Sequence, residues 1–599
     1  MRSRLDRRGI GAGSFHARPL LRAAGLALGL ALLASAPACK KKSPPTEQAP
    51  IDAEAQESPV PAPDGIVAEG VVKSLDAMLG SFRSISLLVP DKASALFADA
   101  LHLPKDAARE IDGSKPVCFV VIRRADATSF ALSVALADPA KATAALQAGP
   151  FKRSDDAELG GTIFEGTSRP KSQVIAVRRR LLIASSSVEA VKALAPYVTR
   201  TMRQRPPAAE DVVVSVPQAA MRGPLLDAWK GALEGAVARR REALGRAKTS
   251  GTPGVGGTPV STVELLSEWL VRENARSLKW LADAGDARVA LTTDKGAMKV
   301  RAEVAVPDRS SAFAKTLASW STRDASSILE LPPSSVAAFS MSVSPTDRAS
   351  SSSDVVELLS AAYPKDLPKD AREKMLKFLA SWDAARGDFT SGALVYEDLA
   401  HVGAVLRLSA ADPKSASALL AEALAAVFSL KGVGDELAAA DIAPPRFSKT
   451  AIAGVAVDVL TVPMPRRKTE PPKPDAPDAA EVVWGPAPAG GEVLVAAGTG
   501  ARDLFTHFVE ETADKSLGAS SELAAQVKSL GPGLAGALLV FPRRVLPLVK
   551  GTHMAAPPTP NDGVAFTVGR TQTGAFLTLD LAEPAVETLV RLSLLARLH

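Results

Sequence analysis

Cysteine and histidine are scarce in this chain, and their scarcity excludes several kinds of site. The 599 residues include two cysteines and six histidines. Two cysteines cannot form the disulfide framework of a small secreted scaffold. The histidines after residue 38 do not lie at a spacing typical of metal ligands; they are His102, His401, His507, His553 and His599. The sequence therefore predicts no metal site and no cofactor.

Motifs of covalent catalysis are also missing. The sequence has no G-x-S-x-G elbow and no S-x-x-K arrangement that would expose an activated serine. Cys118 lies in the apolar run Val117 to Ile122, which favours a buried, inert thiol. We therefore predict no catalytic residue.

A glycine-rich turn between an apolar strand and a helix invites comparison with a phosphate-binding loop. Gly498 and Gly500 follow the run Val493 to Ala497 and could bring backbone amides to an anion. The position of a third glycine is occupied by Asp503, so we interpret the segment as an ordinary strand-to-helix turn.

Positive charge is in slight excess, but most of the excess belongs to the N-terminus. The chain carries 71 basic and 65 acidic residues, a net charge of +6, and its pI is about 9.1. Six arginines and one aspartate precede Cys39, which leaves 65 basic and 64 acidic residues and a net charge of +1. Because a nucleic-acid-binding protein needs a basic surface, we expect no nucleic-acid partner.

A long uncharged apolar run occurs near the N-terminus. Arginines between residues 2 and 22 precede the stretch Ala23 to Ala38, which is rich in Ala, Leu and Gly. This layout is typical of a secretory signal peptide. The run is shorter than the roughly 20 residues that a transmembrane helix needs. We expect residues 1–38 to be removed on export.

The signal ends in Ala36, Pro37, Ala38 and Cys39. This end resembles the lipobox of bacterial lipoproteins, whose cysteine is acylated and becomes the first mature residue. The resemblance implies lipidation of Cys39, attachment to a membrane through N-terminal acyl chains and, because Lys40 follows the cysteine, the outer membrane. Ala36 and Ala38 also form an A-x-A site for ordinary signal peptidase, which would release a protein with an unmodified Cys39.

The residues that follow the cysteine, 39–65, are rich in proline and acids and lack apolar periodicity. Such a segment cannot bury enough apolar surface to fold, so we expect a disordered, extended tether. The run Lys40 to Lys42 would lie beside anionic headgroups at the membrane, or serve solubility alone.

One pattern occurs four times along the rest of the chain: an apolar strand ending at proline, a helical stretch, a hairpin with an alternating strand, and a helix entered through an acid beside a proline. The strand ends are Val89-Pro90, Val216-Pro217, Ser344-Pro345 and Phe541-Pro542, and the helix entries are Asp138-Pro139, Pro307-Asp308, Asp412-Pro413 and Glu583-Pro584. Proline ends a strand, and an acid beside proline is a good helix start. Alternation as in Val300, Ala302 and Val304 predicts one buried face.

We therefore predict an α+β fold of tandem duplicated units, with antiparallel sheets covered by helices on one face. The order of strand, helix, hairpin and helix resembles the start of a ferredoxin-like βαββαβ unit. The passage from strand to serine turn to helix at Leu181 to Val188 resembles secreted bacterial proteins built from tandem α/β units. In that passage, Ser186 and Glu189 predict a capping box.

The predicted domains are two α+β halves, 66–325 and 330–599, each with two units. The first half carries a helical insertion at about 219–284, with helices predicted over Ala219 to Lys248 and Ser261 to Ala284. The second half carries a proline-rich loop at about 463–491.

Two basic runs remain, Arg178 to Arg180 and Arg239 to Arg241. Such runs are usually solvated faces; if either binds, an anionic lipid headgroup or an acidic polymer fits an exported protein. We interpret the chain as a lipid-anchored, non-enzymatic binding or scaffold module of the cell envelope, with an unknown protein or envelope polymer as partner. The alternatives are an extracytoplasmic hydrolase with a site assembled from distant residues, and a structural spacer.

Overall fold

The computed structural model describes residues 57–589 apart from 84–91, 125–126, 168–173, 251–259, 363–366, 397–401, 440–441, 465–477, 511–515 and 546–561. Helices and antiparallel strands make up an α+β fold, as the sequence predicts. The chain divides into two compact units, Met1–Val216 and Pro217–His599.

In the described residues of the first unit, eight strands form the sheet. They are β1 (Ile66–Val72), β2 (Val117–Arg124), β3 (Ala127–Ala135), β4 (Phe151–Asp156), β5 (Gly161–Gly166), β6 (Val174–Arg178), β7 (Leu181–Ser185) and β8 (Val212–Val216). Their pairing gives the order β8-β1-β2-β3-β7-β6-β5-β4, and each pair is antiparallel.

The helices of the first unit are α1 (Leu75–Phe82), α2 (Ala93–Ala100), α3 (Lys105–Arg109), α4 (Pro139–Ala148) and α5 (Val188–Pro196). A π-helical turn, Tyr197–Thr201, and a 3-10 turn, Met202–Gln204, continue α5. A core on one face of the sheet joins Val120 and Ile183 of the strands to Val191 and Leu194 of α5.

The part of the second unit that the structure describes contains twelve strands, which form one sheet. They are β9 (Ala287–Asp294), β10 (Ala297–Ala305), β11 (Ser335–Ser342), β12 (Arg386–Tyr396), β13 (Val402–Ala410), β14 (Arg446–Ile452), β15 (Val455–Pro463), β16 (Ala479–Pro486), β17 (Glu492–Gly498), β18 (Leu534–Val540), β19 (Val564–Arg570) and β20 (Gly574–Leu581). Their order is β9-β10-β20-β19-β18-β11-β12-β13-β17-β16-β15-β14, again antiparallel throughout.

The helices of the second unit are α6 (Gln218–Ala220), α7 (Leu226–Ser250), α8 (Val260–Asp283), α9 (Ala312–Ser319), α10 (Pro345–Ala362), α11 (Lys369–Ala385), α12 (Pro413–Phe428), α13 (Lys431–Ala439), α14 (Ala501–Val509), α15 (Ser521–Ser529) and α16 (Pro542–Val545). A π-helical turn, Met221–Leu225, precedes α7, and 3-10 turns cover Ser326–Glu330 and Leu517–Ala519. Residues 583–589 are also helical.

The strand order of the first unit recurs within the second. Adding ten to each strand number in β8-β1-β2-β3-β7-β6-β5-β4 gives β18-β11-β12-β13-β17-β16-β15-β14, which is the order observed. The ferredoxin-like arrangement is not formed, because β1 pairs with β2, its neighbour in sequence, whereas a split βαβ motif would insert a later strand between them.

Of the four predicted helix entries, two are confirmed, one is wrong, and the fourth, Glu583-Pro584, lies at the start of the helical residues 583–589. Asp138 and Asp412 cap α4 and α12, and each accepts a hydrogen bond from an amide of the first turn, with proline at the first helical position. Asp308 instead closes a turn by accepting from the amide of Ser310, and Ser311 caps α9. The strand end predicted at Val89-Pro90 lies outside the described residues.

Another serine cap is displaced by one residue from the prediction. Ser187, not Ser186, accepts from the amide of Ala190 at the start of α5. The prediction erred because three consecutive serines each suit a cap, and only the strand end at Ser185 decides which of them stands at the helix boundary.

Helices pack against both faces of the second sheet, which differs from the predicted single covered face. Val405 and Ala496 lie in a core with Phe505 of α14. The neighbouring residues Leu406 and Val495 point to the other face and pack in a second core that includes α11 and α12. Consecutive positions of β17 are apolar and buried, so alternation alone did not describe this strand.

Candidate apolar binding surface

Five adjacent strands of the second unit, β11, β18, β19, β20 and β10, present an apolar face. Residues directly opposite each other in antiparallel strands point to the same side of a sheet. One cross-strand row runs Phe339, Leu538, Phe566, Leu579, Val300. The next row runs Met341, Gly536, Val568, Leu577, Ala302.

We call this face the apolar sheet surface. It comprises Met298, Val300, Ala302, Val304, Ala337, Phe339, Met341, Gly536, Leu538, Val540, Val564, Phe566, Val568, Ala575, Leu577, Leu579 and Leu581, with Leu394 of β12 opposite Ala337. Every member is apolar, and Arg570 of β19, opposite Ala575, lies on the same face at the border of the surface. From β12 to β10 the surface spans about 24 Å, since neighbouring strands lie about 4.8 Å apart.

Large side chains in the middle of this surface are open to solvent. Leu394 is 56% exposed, Leu577 51%, Met341 42%, Phe566 41% and Leu538 38%. The alternation of β20 and β10 predicted this face to be buried; Val564, Ala575 and Leu581 are buried, but the large side chains in its centre are not. A contiguous exposed apolar patch is unusual on a soluble domain and commonly marks a binding surface.

The opposite, buried face of the same strands combines apolar core residues, such as Leu539 and Phe576, with hydroxyl side chains. A row there runs Ser391, Ser340, Ala537, Thr567, Thr578, and each of its four hydroxyl residues is buried. Beneath β11 and β18 this face borders a shallow surface depression lined by Arg323, Asp324, Ser340 and Ser342 among others. The strands therefore bury these hydroxyls beside an apolar core, while large apolar side chains on their other face remain exposed, which is unusual for a sheet.

Helices border the apolar sheet surface at both ends. At the β10 end, Val304 and Ala575 pack with Phe313 of α9 and Trp280 of α8, and these two rings stack with centroids 5.5 Å apart. At the far end, Leu406 and Leu408 of β13 pack with Trp382 of α11 in a core completed by α12. The exposed centre lies between the two covered ends.

Charged groups connect the helices near this surface. Arg276 of α8 forms an ion pair of 3.3 Å with Asp354 of α10, and Arg272 lies 3.7 Å from the same carboxylate. α8 thus contacts α10, which in turn contacts α11. Ion pairs at partly exposed positions contribute little stability but restrict orientation.

The strands of the apolar sheet surface have no free edges. Each of β11, β18, β19, β20 and β10 is paired on both sides. An extended peptide could not add a strand here, because the backbone groups already pair within the sheet. A ligand can contact this surface only through its side chains.

The residues singled out in the sequence do not converge on a catalytic arrangement. His102 and His507 are exposed, and His401, His553, His599 and Cys39 lie outside the described residues. Gly498 ends β17 with a left-handed φ of 132°, and α14 starts at Ala501, so the turn joins strand to helix as interpreted. Cys118 is fully buried in β2, and burial raises the pKa of its thiol.

The two basic runs differ in the structure. Arg178 and Arg179 form ion pairs with Glu57, which lies within the predicted tether, residues 39–65. Arg239 is exposed on α7. Sequence reasoning missed both the Glu57 contact and the apolar sheet surface; the signal for the latter was the row of hydroxyl residues alternating with apolar ones in β19 and β20.

Metal and membrane-spanning features are absent from the described part of the chain. In the ranges covered, no group of three or more His, Cys, Asp or Glu side chains could hold a metal ion. No single described helix is long and apolar enough to cross a bilayer; α12 and α13 together meet the length and composition requirement but are bent by 66°.

Comparison with known proteins finds distant structural similarity. No family model matches the chain, and no curated protein matches it. Among solved structures, crystal form IV of TP0453 is similar at 9% identity with a TM-score of 0.21, over 40% of this chain and 77% of that one. Crystal form I of TP0453 is similar at 10% identity with a TM-score of 0.21, over 43% and 81%. These scores are too low to bear on fold or function.

Proposed function

We propose that this chain is an exported, non-enzymatic protein of the cell envelope, anchored through acyl chains on Cys39, that holds a hydrocarbon chain against the apolar sheet surface. The observation that carries the proposal is the exposed apolar face of the sheet: Phe566 and Leu577 are exposed, whereas the adjacent Thr567 and Thr578 are buried. An exposed apolar surface lowers the solubility of a protein, and a role in binding accounts for its presence here.

The chemistry of the surface favours a hydrocarbon chain over a peptide or a sugar. All its members lack polar side-chain groups, so it offers no partner for the amides or hydroxyls of such ligands. A peptide bound there would lose hydrogen bonds to water without replacement, which is costly. A fatty acyl chain loses none.

Chain length provides a quantitative expectation. Each methylene moved from water to an apolar surface contributes about 0.8 kcal/mol, or roughly fourfold in affinity. Affinity for straight-chain fatty acids should therefore rise steeply from C8 to C14, until the chain outgrows the surface.

The test uses the mature chain with Cys39→Ser, which cannot be acylated, and displacement of N-phenyl-1-naphthylamine by fatty acids of increasing length. Phe566→Ser and Leu577→Ser should weaken binding about tenfold or more. Phe447→Ser is the matched control, because Phe447 on the edge strand β14 is 43% exposed but lies outside the surface. Equal loss in all three variants, or affinity independent of chain length, would contradict the proposal.

Anchoring is tested separately. The intact mass of the purified mature N-terminus should show a diacylated or triacylated Cys39, and Cys39→Ser should move the protein from the membrane fraction to the soluble one. An unmodified Cys39 would refute anchoring while leaving the hydrocarbon-binding proposal to its own test.

We also propose that the chain arose by duplication of one ten-strand unit. The support is the recurrence of the eight-strand order with each number raised by ten. In addition, β10 is the last strand of the first ten and β20 the last of the second ten. These two strands pair with each other, with Arg301 opposite Thr578 and Ala302 opposite Leu577. Such pairing of equivalent strands is the kind found between identical subunits.

A further inference from the structure

Three arginines of the first unit converge on one carboxylate, Glu57. Arg178, at the end of β6, donates from Nη2 to both carboxylate oxygens at 2.8 Å. Arg179, in the turn after β6, pairs with Oε1. Arg200, in the π-helical turn, places Nε 2.5 Å from Oε2. We refer to the three arginines as the triple-arginine site.

The triple-arginine site is held in place by burial and by hydrogen bonds within the first unit. Arg178 is only 8% exposed, and its Nε donates to the carbonyl of Leu159 at 2.9 Å. Its Nη1 reaches Thr199 Oγ1 at 3.5 Å. The guanidinium is therefore fixed in orientation before any anion binds, which is the condition for tight anion recognition.

Positive charge at this site exceeds the charge of the group that occupies it. Within the described ranges, Glu57 is the one acidic side chain that forms an ion pair with the three arginines, so three positive charges meet a single negative one. The buried Nε of Arg200 is close to the carboxylate but lacks the alignment of a hydrogen bond. A dianion with three oxygens would match both the charge and the donors better.

Glu57 also belongs to a segment that other contacts hold in place. Gln204 donates from its amide to the Glu57 carbonyl at 2.7 Å. Thr201 Oγ1 accepts from the Val60 amide at 2.8 Å and lies 2.7 Å from the Val60 carbonyl, to which it donates. The Glu57 side chain can thus leave the arginines while Val60 stays docked.

We propose that the triple-arginine site binds a phosphate monoester dianion and that the Glu57 carboxylate occupies it in the ligand-free protein. Binding exchanges the carboxylate for the phosphate: one side chain moves to solvent and no covalent bond changes. The Glu57 carboxylate then competes with the phosphate for the three arginines, so its removal should raise the affinity for the ligand.

The experiment measures binding of phenyl phosphate to the mature chain with Cys39→Ser by isothermal titration calorimetry. Glu57→Ala should bind about tenfold more tightly than the parent. Arg200→Gln combined with Glu57→Ala should lose this gain. Asp155→Asn is the control, since it removes an exposed carboxylate paired with Arg153 away from the site, and it should leave the affinity unchanged.

Vesicles distinguish the source of the phosphate. Phosphatidic acid carries a monoester headgroup, whereas phosphatidylcholine carries a diester. If Glu57→Ala binds phosphatidic acid vesicles and the Arg200→Gln double variant does not, the ligand is a lipid headgroup. Binding of phenyl phosphate without preference between the two vesicles assigns a free phosphate monoester.

Because Arg178 is buried and its replacement would disturb folding, the test relies on the more exposed Arg179 and Arg200. Arg179→Gln in the Glu57→Ala background should also abolish the gain. If folded Glu57→Ala binds neither phenyl phosphate nor phosphatidic acid more tightly than the parent, the proposal is overturned and the site serves only to hold the chain at Glu57.

Discussion

Thr567 lies directly opposite Thr578 across β19 and β20, and both side chains are 3% exposed. The residues immediately before them, Phe566 and Leu577, point to the other face and are largely open to solvent. A one-residue shift of either strand would reverse this arrangement and bury the apolar set. The observed register is held by neighbouring strands on both sides, so the exposed hydrocarbon is a consequence of the fold as a whole.

Replacement of exposed surface residues should separate binding from stability. Leu577→Ser removes an exposed side chain, so we expect the free energy of unfolding to change by less than about 0.5 kcal/mol. Leu539→Ala, at a fully buried position of β18, should cost about 2 to 5 kcal/mol. Urea unfolding of both variants measures the difference; a comparable loss in Leu577→Ser would mean that the surface is part of a core.

Glycine 574 should be essential to the pairing of β20 with β10. A Cβ added at Gly574 would overlap the backbone carbonyl oxygen of Val304, which cannot move without breaking the strand pair. Gly574→Ala should therefore destabilise the second unit by several kcal/mol, of the order seen for overpacking in cores. Thermal denaturation followed by circular dichroism measures the loss.

Gly536 offers the matched control for that experiment. Its added Cβ would meet Val568 Cγ1 at 3.4 Å, an ordinary contact on the apolar sheet surface. Gly536→Ala should be tolerated or slightly stabilising, because alanine restricts the unfolded chain more than glycine does. Equal effects of the two substitutions would show that the close approach of Gly574 to Val304 carries no energetic weight.

Local signals in the sequence predicted local structure well. Asp412 followed by Pro413 specified a helix start from chemistry contained in two residues, and α12 begins there. Asp308 also stands next to a proline, but a serine-rich turn follows it. Ser311, and not Asp308, caps α9. Where two nearby residues offer the same hydrogen bond, the choice depends on where the preceding strand ends.

Long-range features could not be predicted in this way. Alternation along β20 shows that Leu577 and Thr578 face opposite sides, but the burial of a side depends on which helices pack against it. Likewise, the sequence around Arg178 predicts a solvated basic residue. Its contact is with Glu57, 121 positions earlier in the chain. Both features depend on contacts between residues that are far apart in the sequence, and local sequence patterns do not reveal such contacts.

Tyr197 should titrate well above an ordinary tyrosine. Burial and the hydrogen bond that its hydroxyl donates to Glu69 at 2.7 Å raise the pKa of Tyr197 to about 12. The neutral form is favoured in the folded state, so its contribution to stability is present below pH 10 and is lost as pH rises toward 12. Ultraviolet difference absorbance of phenolate, with Tyr197→Phe to identify the signal, measures the titration.

Arg205 provides a check on the cause of that shift. Its guanidinium pairs with Glu69 at 2.6 Å and donates to the Tyr197 hydroxyl at 2.7 Å, which opposes the effect of the carboxylate. Arg205→Gln should therefore raise the pKa of Tyr197 further. A lower pKa in this variant would show that the hydroxyl is more accessible to water than the structure indicates.

The contact of Glu57 with the triple-arginine site should make stability depend on pH. The hydrogen bond from Arg178, followed by the charges of Arg178, Arg200 and Arg179, lowers the pKa of Glu57 below its ordinary value of 4.5. Because the folded state favours the carboxylate, the stabilisation is fully present above pH 4.5 and is lost as pH falls through the lowered pKa.

Glu57→Gln should cost about 1 to 3 kcal/mol at pH 7, the range for hydrogen bonds to charged groups. Thermal denaturation from pH 7 to pH 3 should show the difference between the parent and Glu57→Gln shrinking, whereas Glu165→Gln, an exposed position on β5, should track the parent throughout. A constant difference across this range would mean that the loss in Glu57→Gln comes from the backbone contacts of residues 57–60 rather than from the charge.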